Sequence, residues 1–599
     1  MPTLRLSQNM NLHCNTPNYR VPAGVFLIAL LFYLIFIPNT VYWLDAPEFA
    51  GAGFSLGMVH PPGHPVVMLL LRAFDNLPMS GIAFRSNVFS GVFAAMSASI
   101  LSMIAFCVFR KTDIGNKVSE FLAWMTGIGF AISPALTVQG TGVEVYSVNS
   151  FLCLTALYLA FYSSKNLAFA VPAAFFLGLG AANHHYLTIL AIPAVVWAAY
   201  PALKQRPKLL IPSTIAFILP LILYLYLPIR APSSPLPSWT ELNGPVGLFN
   251  YVSAKTFAGS INGFSMFHSI KNTITALFMV SGQFSPLYLA ISIAGMVVLF
   301  LKDRRTFAIL FILIVLNLAS KVAMSILDPQ NPDAYGYFLP TFGVLFLFAA
   351  IALAPLLKTR LRALAIAGAF GLVITPAIFT LKPALHRRNF HDTRTYSNLA
   401  LRTLPQDSVT IMSFYPSYFL ALYDRVVTGL RPDCLFVQAS FYEKSGGSHA
   451  YATQICRQAP DFCPIASEFA ANKSLNWPSL TALAKHRPVL MEPAHGMDIL
   501  SDFSFHGFFF SAPVAETGKK PIDVRTFINM LETKFGPYKN IDIETRRLLL
   551  RLQYLDARLL SMKGQTFDAR LLARACTQLA PNDPMVLRLN KKLNQSVIR

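Results

Sequence analysis

Residues 166–203, NLAFAVPAAFFLGLGAANHHYLTILAIPAVVWAAYPAL, run for 38 positions without an Asp, Glu, Lys or Arg. A helix that crosses a bilayer needs about 20 apolar residues. This run is therefore long enough for two short spans with a turn at Asn183-His184-His185. The same absence of charge marks residues 21–44, 86–109, 121–143, 145–164, 209–229, 272–301, 334–357 and 363–381. Residues 306–320 form a shorter run that can extend past Lys321. Together these make eleven candidate spans, so the chain reads as a polytopic α-helical membrane protein. The first run is not a cleaved signal peptide, because it is too long and leads into Thr40-Val41-Tyr42-Trp43 rather than a small-residue cleavage site.

Composition points the same way. Of 599 residues, 54% are hydrophobic and 13% charged, and the mean hydropathy is +0.49. Soluble proteins carry about 25% charged residues, and half that density cannot cover a soluble surface. Disordered, collagen-like and coiled-coil classes are excluded on the same ground, and seven Cys exclude a disulfide scaffold. The net charge of +21 would suit nucleic acid, so its placement matters. Residues 1–381 hold 21 Lys/Arg and 10 Asp/Glu, and residues 382–599 hold 28 and 18. With the N-terminus in the cytoplasm, alternate loops of the first part collect 15 of its 21 basic residues, while the opposite side receives 7 of its 10 acids. That is the asymmetry the positive-inside rule produces. The charge is spent on topology, and no nucleic-acid partner is implied. An odd number of spans places residues after 381 outside.

Three regions follow: a transmembrane domain, 1–381; an outer α/β domain, 382–540; and a helical tail, 541–599. In the α/β domain, residues 409–413, 435–437, 488–491 and 508–510 read as short strands, and 415–428 has helical apolar spacing. Residues 543–561 and 567–579 read as an amphipathic hairpin like one tetratricopeptide unit. One such unit cannot bury its own face, so it should pack on the α/β domain, with a role in docking or acceptor recruitment. Cys456 and Cys463 lie outside, where either a disulfide or two thiols fits.

The chemistry-bearing residues gather on the outer side. Asp45-Ala46-Pro47-Glu48 follows the first span, and Gly57-Met58-Val59-His60-Pro61-Pro62-Gly63-His64-Pro65 comes next. Two carboxylates at a membrane surface are costly and need a reason. One is helix capping by Asp45; the other is a base or ligand at the lipid–water boundary. The prolines forbid a helix between His60 and His64, so these two are not an i,i+4 metal pair. Glu144, Tyr146 and Asn149 open the fourth span, His184 and His185 sit at the turn of the long run, Arg230 ends the seventh span, and Asp333 precedes the tenth.

Asp45-x-x-Glu48, His60-Pro61-Pro62-Gly63-x-Pro65, Glu144-Val145-Tyr146-x-x-Asn149, Asn183-His184-His185 and Tyr226-Leu227-Pro228-Ile229-Arg230 resemble bacterial relatives of the transmembrane O-mannosyltransferase that modifies IPT domains of plexins and receptor kinases. Weaker matches at Tyr337–Pro340 and at Leu404, Pro405 and Gly429–Asp433 extend the resemblance over most of the chain. The chain has Asp-Ala-Pro-Glu where the family commonly has Asp-Ser-Gly-Glu, and His64 where it commonly has Tyr. The resemblance implies a GT-C glycosyltransferase that uses a polyprenyl-phosphate sugar, with Asp45 as the first-loop catalytic acid.

The resulting expectation is a glycosyltransferase of the bacterial inner membrane, acting on the periplasmic side. It would move a sugar, mannose in the family's case, to a hydroxyl of an exported protein or glycan. Asp45 would be the base and Glu48 would orient it or the acceptor. His60, His64, His184, His185 and Arg230 would bind donor phosphate, with Glu144, Tyr146, Asn149 and Asp333 in support. Several of these groups can act without metal, but Asp45, Glu48, His60 and His184 can also hold a divalent ion. A transporter or flippase is the rival reading, yet such proteins place polar residues at mid-membrane, often in inverted repeats. A non-enzymatic envelope scaffold would explain the tail but not Asp45–Pro65.

Overall fold

The computed structural model describes residues 19–111, 114–260, 266–322, 327–439, 448–472, 477–494, 503–512, 522–536 and 541–595. The chain forms two compact units, each discontinuous in sequence. The first joins Met1–Pro38, His64–Tyr226 and Phe257–Asn389; the second joins Asn39–Gly63, Leu227–Thr256 and Phe390–Arg599.

The first unit is helical. Among the described residues of the whole chain, six helices are long and apolar enough to cross a membrane: Ile82–Arg110, Leu167–Gln205, Pro207–Ser233, Ser285–Lys302, Leu339–Lys358 and Arg362–Ala400. The bent pair Asn116–Ile132 and Pro134–Gly140 makes a seventh if it is one span. The sequence led to an expectation of eleven. The difference arises because a charge-free run counts loop residues as well as helix. Residues 21–44 are all uncharged, yet the helix there is Arg20–Phe36, 17 residues long, and Tyr146–Tyr162 is also 17. The long run forms one helix, Ala170–Gln205, broken at His184, whose φ −144° and ψ 83° are not helical. Helices approach closely where a side chain is missing: a Cβ on Gly295 would lie 1.8 Å from the carbonyl oxygen of Phe348, the small-residue packing that membrane bundles use.

The second unit is built on a five-stranded sheet, β1 (Val409–Met412), β2 (Leu435–Gln438), β3 (Val489–Met491), β4 (Ser504–His506) and β5 (Phe509–Ser511), in the order β2-β1-β3-β5-β4. β1 is parallel to β2 and β3, and β5 is antiparallel to β3 and β4. The Tyr415–Tyr423 helix follows β1. Cys456 and Cys463 form a disulfide between the Ser448–Gln458 and Cys463–Asn472 helices. The tail forms three helices, Ile543–Met562, Thr566–Leu579 and Pro584–Gln595. It packs on the sheet domain: the Arg551 guanidinium lies over the Phe414 ring, 4.5 Å from its centroid, and Lys563 donates to the carbonyl of Phe503.

The tail also holds the segment between the Arg20–Phe36 and Ala46–Ser55 helices. The Tyr42 hydroxyl donates to Asp542 at 2.7 Å, the Trp43 indole donates to Thr545 Oγ1 at 2.7 Å, and the Thr545 hydroxyl donates to Asp392 at 2.8 Å. Thr393 and Thr40 add hydroxyl bonds to the carbonyls of Val41 and Phe390, each at 2.8 Å. The segment leading into Asp45 is thereby fixed at several points.

Two buried carboxylates give this unit a pH dependence. Glu492 accepts the backbone N–H groups of Ser413 at 2.7 Å and Phe414 at 3.2 Å. Burial is the largest influence on Glu492 and pushes its carboxyl up to about 7. Burial also raises Asp556, whose oxygens have no hydrogen-bond partner among the described residues. A raised pKa means that the folded state holds the proton more tightly than the unfolded chain does. The stability this contributes is fully present below the ordinary value of 4.5 and is lost as pH rises through about 7. The thermal midpoint of the purified protein is therefore expected to fall as pH rises over that window, and Glu492→Gln should reduce the slope. A midpoint that rises over the window, or a slope unchanged in Glu492→Gln, would contradict this.

Candidate active site

Asp45 and Glu48 stand at the mouth of the Ala46–Ser55 helix in the second unit. Pro47 suits the first turn, where its missing N–H costs nothing. Asp45 occupies the N-cap position, but its side chain makes no capping hydrogen bond. Of the two readings of Asp45, capping is therefore not what its carboxylate does. The carboxylate is 36% exposed and lies 3.9 Å from Nε2 of His60.

Glu48 is fully buried and fully engaged. One oxygen accepts the backbone N–H of His60 at 2.9 Å and the indole N–H of Trp239 at 3.1 Å; the other lies 2.6 Å from Nδ1 of His60. Burial is the largest influence and raises the Glu48 carboxyl, while the His60 ring opposes that rise. A carboxylate at Nδ1 fixes that nitrogen as the donor, which directs Nε2 toward Asp45. The backbone forms the same geometry from below. Gly63, at φ 91°, closes the turn by donating to the carbonyl of His60 at 2.9 Å, and the Pro61–Pro62 bond is cis. The Tyr251 hydroxyl donates to the carbonyl of Val59 at 2.5 Å. Trp239 is stacked on Tyr415, with centroids 5.7 Å apart and planes at 15°, and packs near the His60 ring at 6.1 Å.

One ligand atom from each of Asp45, Glu48 and His60 falls within 4.8 Å of the others, a spacing that can hold a metal ion. The oxygens of Glu48 are committed to His60 and Trp239, however. That leaves Asp45 and His60 as a pair of donors, fewer than the three protein ligands of a catalytic zinc site.

Arg230, in the same unit, donates through Nε to the carbonyl of Leu56 at 2.8 Å and through a terminal nitrogen to that of Ser55 at 3.1 Å. It closes the C-terminal end of the Ala46–Ser55 helix.

A second polar cluster lies within the first unit. Nδ1 of His64 meets the carbonyl of Asn183 at 2.6 Å, and its ring lies 5.5 Å from that of His184. His184, at the helix break, also packs against Tyr146 at 5.9 Å and Tyr337 at 5.7 Å. The Lys321 ammonium lies over Tyr337, 3.5 Å from the ring centroid, and Asp333 is the acid whose field reaches it. Asn149 accepts the Thr188 hydroxyl at 3.0 Å, tying the Tyr146–Tyr162 helix to the Ala170–Gln205 helix. The Glu144 backbone N–H donates to the Ser90 hydroxyl at 3.1 Å, and His185 is half-buried beside His184. The structure thus groups Asp45, Glu48 and His60 in one unit and His64, His184 and Tyr146 in the other. Sequence reasoning missed Tyr415 and Tyr251 and gave no role to Trp239 or Lys321. Of these, only Lys321 carried a signal, as a charge at the end of an apolar run.

The fold has a counterpart among solved structures. It is similar to ArnT from Cupriavidus metallidurans, a structure bound to undecaprenyl phosphate, with a TM-score of 0.52 and 12% identity over 84% of this chain and 99% of that one. Residues 45–208 match the family model of the protein O-mannosyl-transferase TMEM260 N-terminal domain. The chain is also similar to protein O-mannosyl-transferase TMEM260 of Mus musculus, 25% identical over 453 residues, covering 70% of this chain and 62% of that protein. The Dictyostelium discoideum protein of the same name is 24% identical over 294 residues, covering 44% of this chain and 34% of the relative. The chain therefore spans less than two thirds of the length of the curated relatives it matches. The resemblance read from the motifs is borne out by these matches.

Proposed function

We propose that this protein is a membrane glycosyltransferase that moves a sugar, mannose by family likeness, from a polyprenyl phosphate to a hydroxyl of an exported protein or glycan. The observation that carries the reading is the Asp45–His60–Glu48 arrangement inside a segment matched by the O-mannosyl-transferase family model. An exposed carboxylate that caps nothing is held beside an imidazole whose orientation a buried carboxylate fixes. That is a proton-accepting device. In the transfer, the acceptor oxygen bonds to the sugar's anomeric carbon as the bond from that carbon to the phosphate oxygen breaks. The electron pair leaves with the polyprenyl phosphate, and the acceptor proton passes to Asp45. Glu48 holds His60 with its proton on Nδ1, so that Nε2 is turned toward the Asp45 side of the site.

Within the first unit, His64, His184, His185 and Lys321 are the groups we propose for holding a phosphate, with Tyr146, Asn149, Glu144 and Asp333 around them. Arg230 spends two of its nitrogens on the Ser55 and Leu56 carbonyls and has a terminal nitrogen left for an anion. The charge asymmetry favours the bacterial inner membrane, with the N-terminus in the cytoplasm and residues after 381 in the periplasm. Reporter fusions after residue 381 should be active only in the periplasm, and a cytoplasmic result would remove the outer site. Membranes given polyprenyl-phosphate mannose should release polyprenyl phosphate, and no release with any lipid-linked sugar would sink the reading.

The tail takes on a different role from the recruitment read in the sequence. Removing residues 541–599 takes away the Asp542 and Thr545 partners of the Tyr42 hydroxyl and the Trp43 indole and opens the segment before Asp45 to water. We expect the deletion to abolish both donor hydrolysis and acceptor transfer and to lower the thermal midpoint. A truncated protein that hydrolyses donor normally would restore the recruitment role.

A further inference from the structure

The loop that carries Trp239 has no regular structure of its own from Ser234 to Asn243. An irregular loop holds an indole at a fixed distance only if its own backbone is fixed. The Gln454 side chain meets this requirement from the Ser448–Gln458 helix. Its Nε2 donates to the carbonyls of Ser234 at 2.8 Å and Leu236 at 2.6 Å, and its Oε1 accepts the N–H of Ser238 at 3.0 Å. A primary amide is the neutral side chain that offers two donors beside a carbonyl acceptor, and both ends of this one are used. One turn along, Arg457 donates to the carbonyl of Pro232 at 3.1 Å. The Cys456–Cys463 disulfide anchors the same helix to its neighbour.

The clamped loop reaches the site along two routes. The Ser234 hydroxyl oxygen accepts the N–H of Met58 at 2.9 Å, two residues before His60. Trp239, next to Ser238, donates to Glu48 at 3.1 Å. Between them, Leu236 lies against Gly51 and Gly57: a Cβ on Gly51 would fall 3.8 Å from its Cδ2, and one on Gly57 3.1 Å from its Cδ1.

We propose that Gln454 is a positioning residue for sugar transfer, acting through the 234–239 loop to hold Glu48 and His60 in register with Asp45. The proposal rests on the glycosyltransferase reading above. It gives the outer domain a share in catalysis without any contact with substrate.

The test uses the full-length protein and four variants: Gln454→Ala, Gln454→Glu, Trp239→Phe and the double variant that joins Gln454→Ala to Trp239→Phe. Misplacing a reacting group by an ångström costs as much as about 10²-fold. Gln454→Ala is expected to lower kcat about tenfold or more, with KM for the lipid donor within about twofold. In the Trp239→Phe background the same change should cost less than it does in the wild type, because one of its two routes to the site is already cut. Gln454→Glu, which keeps the acceptor for Ser238 and loses both donors, should fall between wild type and Gln454→Ala. Hydrogen exchange provides a readout independent of catalysis: the Met58 amide should exchange about tenfold faster or more in Gln454→Ala. Additive losses in the double variant, or unchanged exchange at Met58, would overturn the proposal. An inactive wild-type protein would count instead against the glycosyltransferase reading, and the exchange result would then decide whether Gln454 holds the loop.

Discussion

Asp45→Asn is expected to lower sugar transfer about 10²–10⁴-fold, the loss typical of a removed general base, while the thermal midpoint stays where it is. The amide keeps the shape and the hydrogen-bonding reach of the carboxylate but cannot take the acceptor proton. Stability should be indifferent because Asp45 makes no capping hydrogen bond in the Ala46–Ser55 helix. For the same reason Asp45→Ala should cost well under the ~1 kcal/mol that loss of a capping side chain brings. Transfer rate and thermal unfolding measured on both variants check this. An Asn variant that works at the wild-type rate would move the proton to His60 Nε2, the other group on that side of the site, 3.9 Å from the Asp45 carboxylate. His60→Gln would then carry the large loss.

The second large effect belongs to Glu48. Its oxygens serve the His60 N–H, the His60 ring and the Trp239 indole inside a fully buried pocket. Glu48→Ala leaves these donors without a partner, and each such buried group costs about 1–3 kcal/mol. The expected result is a loss of about 3 kcal/mol or more together with all transfer. Glu48→Gln is the sharper variant. Its amide oxygen can still serve the His60 N–H and the indole, but its NH₂ cannot accept from Nδ1. The imidazole must then carry its proton on Nε2, facing Asp45, and a wrong histidine tautomer is costly to proton transfer. We expect kcat to fall about 10²-fold or more with a folded protein. Wild-type kcat in Glu48→Gln would reduce Glu48 to a space-filling role.

The membrane class was legible because it depends on composition along the chain, which a linear reading sees directly. The strands at 409–413 and 435–437 appear as Val409–Met412 and Leu435–Gln438 for the same reason: alternation and turn residues are local signals. The break at His184 falls in the turn read at Asn183-His184-His185. Long-range pairing left no such trace. Arg230 read as a cation at the end of a span, and its carbonyl partners lie 174 and 175 positions away. Trp239 had no local signal, because its carboxylate partner is 191 positions away. Gln454 had no motif around it, since an amide that clamps a loop is recognised only from the loop. The joining of residues 39–63 and 227–256 to the C-terminal chain in one compact unit is invisible to any boundary drawn along the sequence, because those segments are the ends of spans as well as parts of a sheet domain's surroundings.

The central claim is that this chain breaks the bond between a sugar and a polyprenyl phosphate and that Asp45 is needed for it. The most direct measurement gives the purified full-length protein polyprenyl-phosphate mannose and a Ser- and Thr-bearing exported domain, then counts lipid phosphate released and hexose gained by mass spectrometry. The account predicts one hexose on a hydroxyl for each polyprenyl phosphate released, with both signals lost in Asp45→Asn. Lipid-linked sugar moved intact across a vesicle membrane with no phosphate released, or equal transfer by Asp45→Asn, would contradict it.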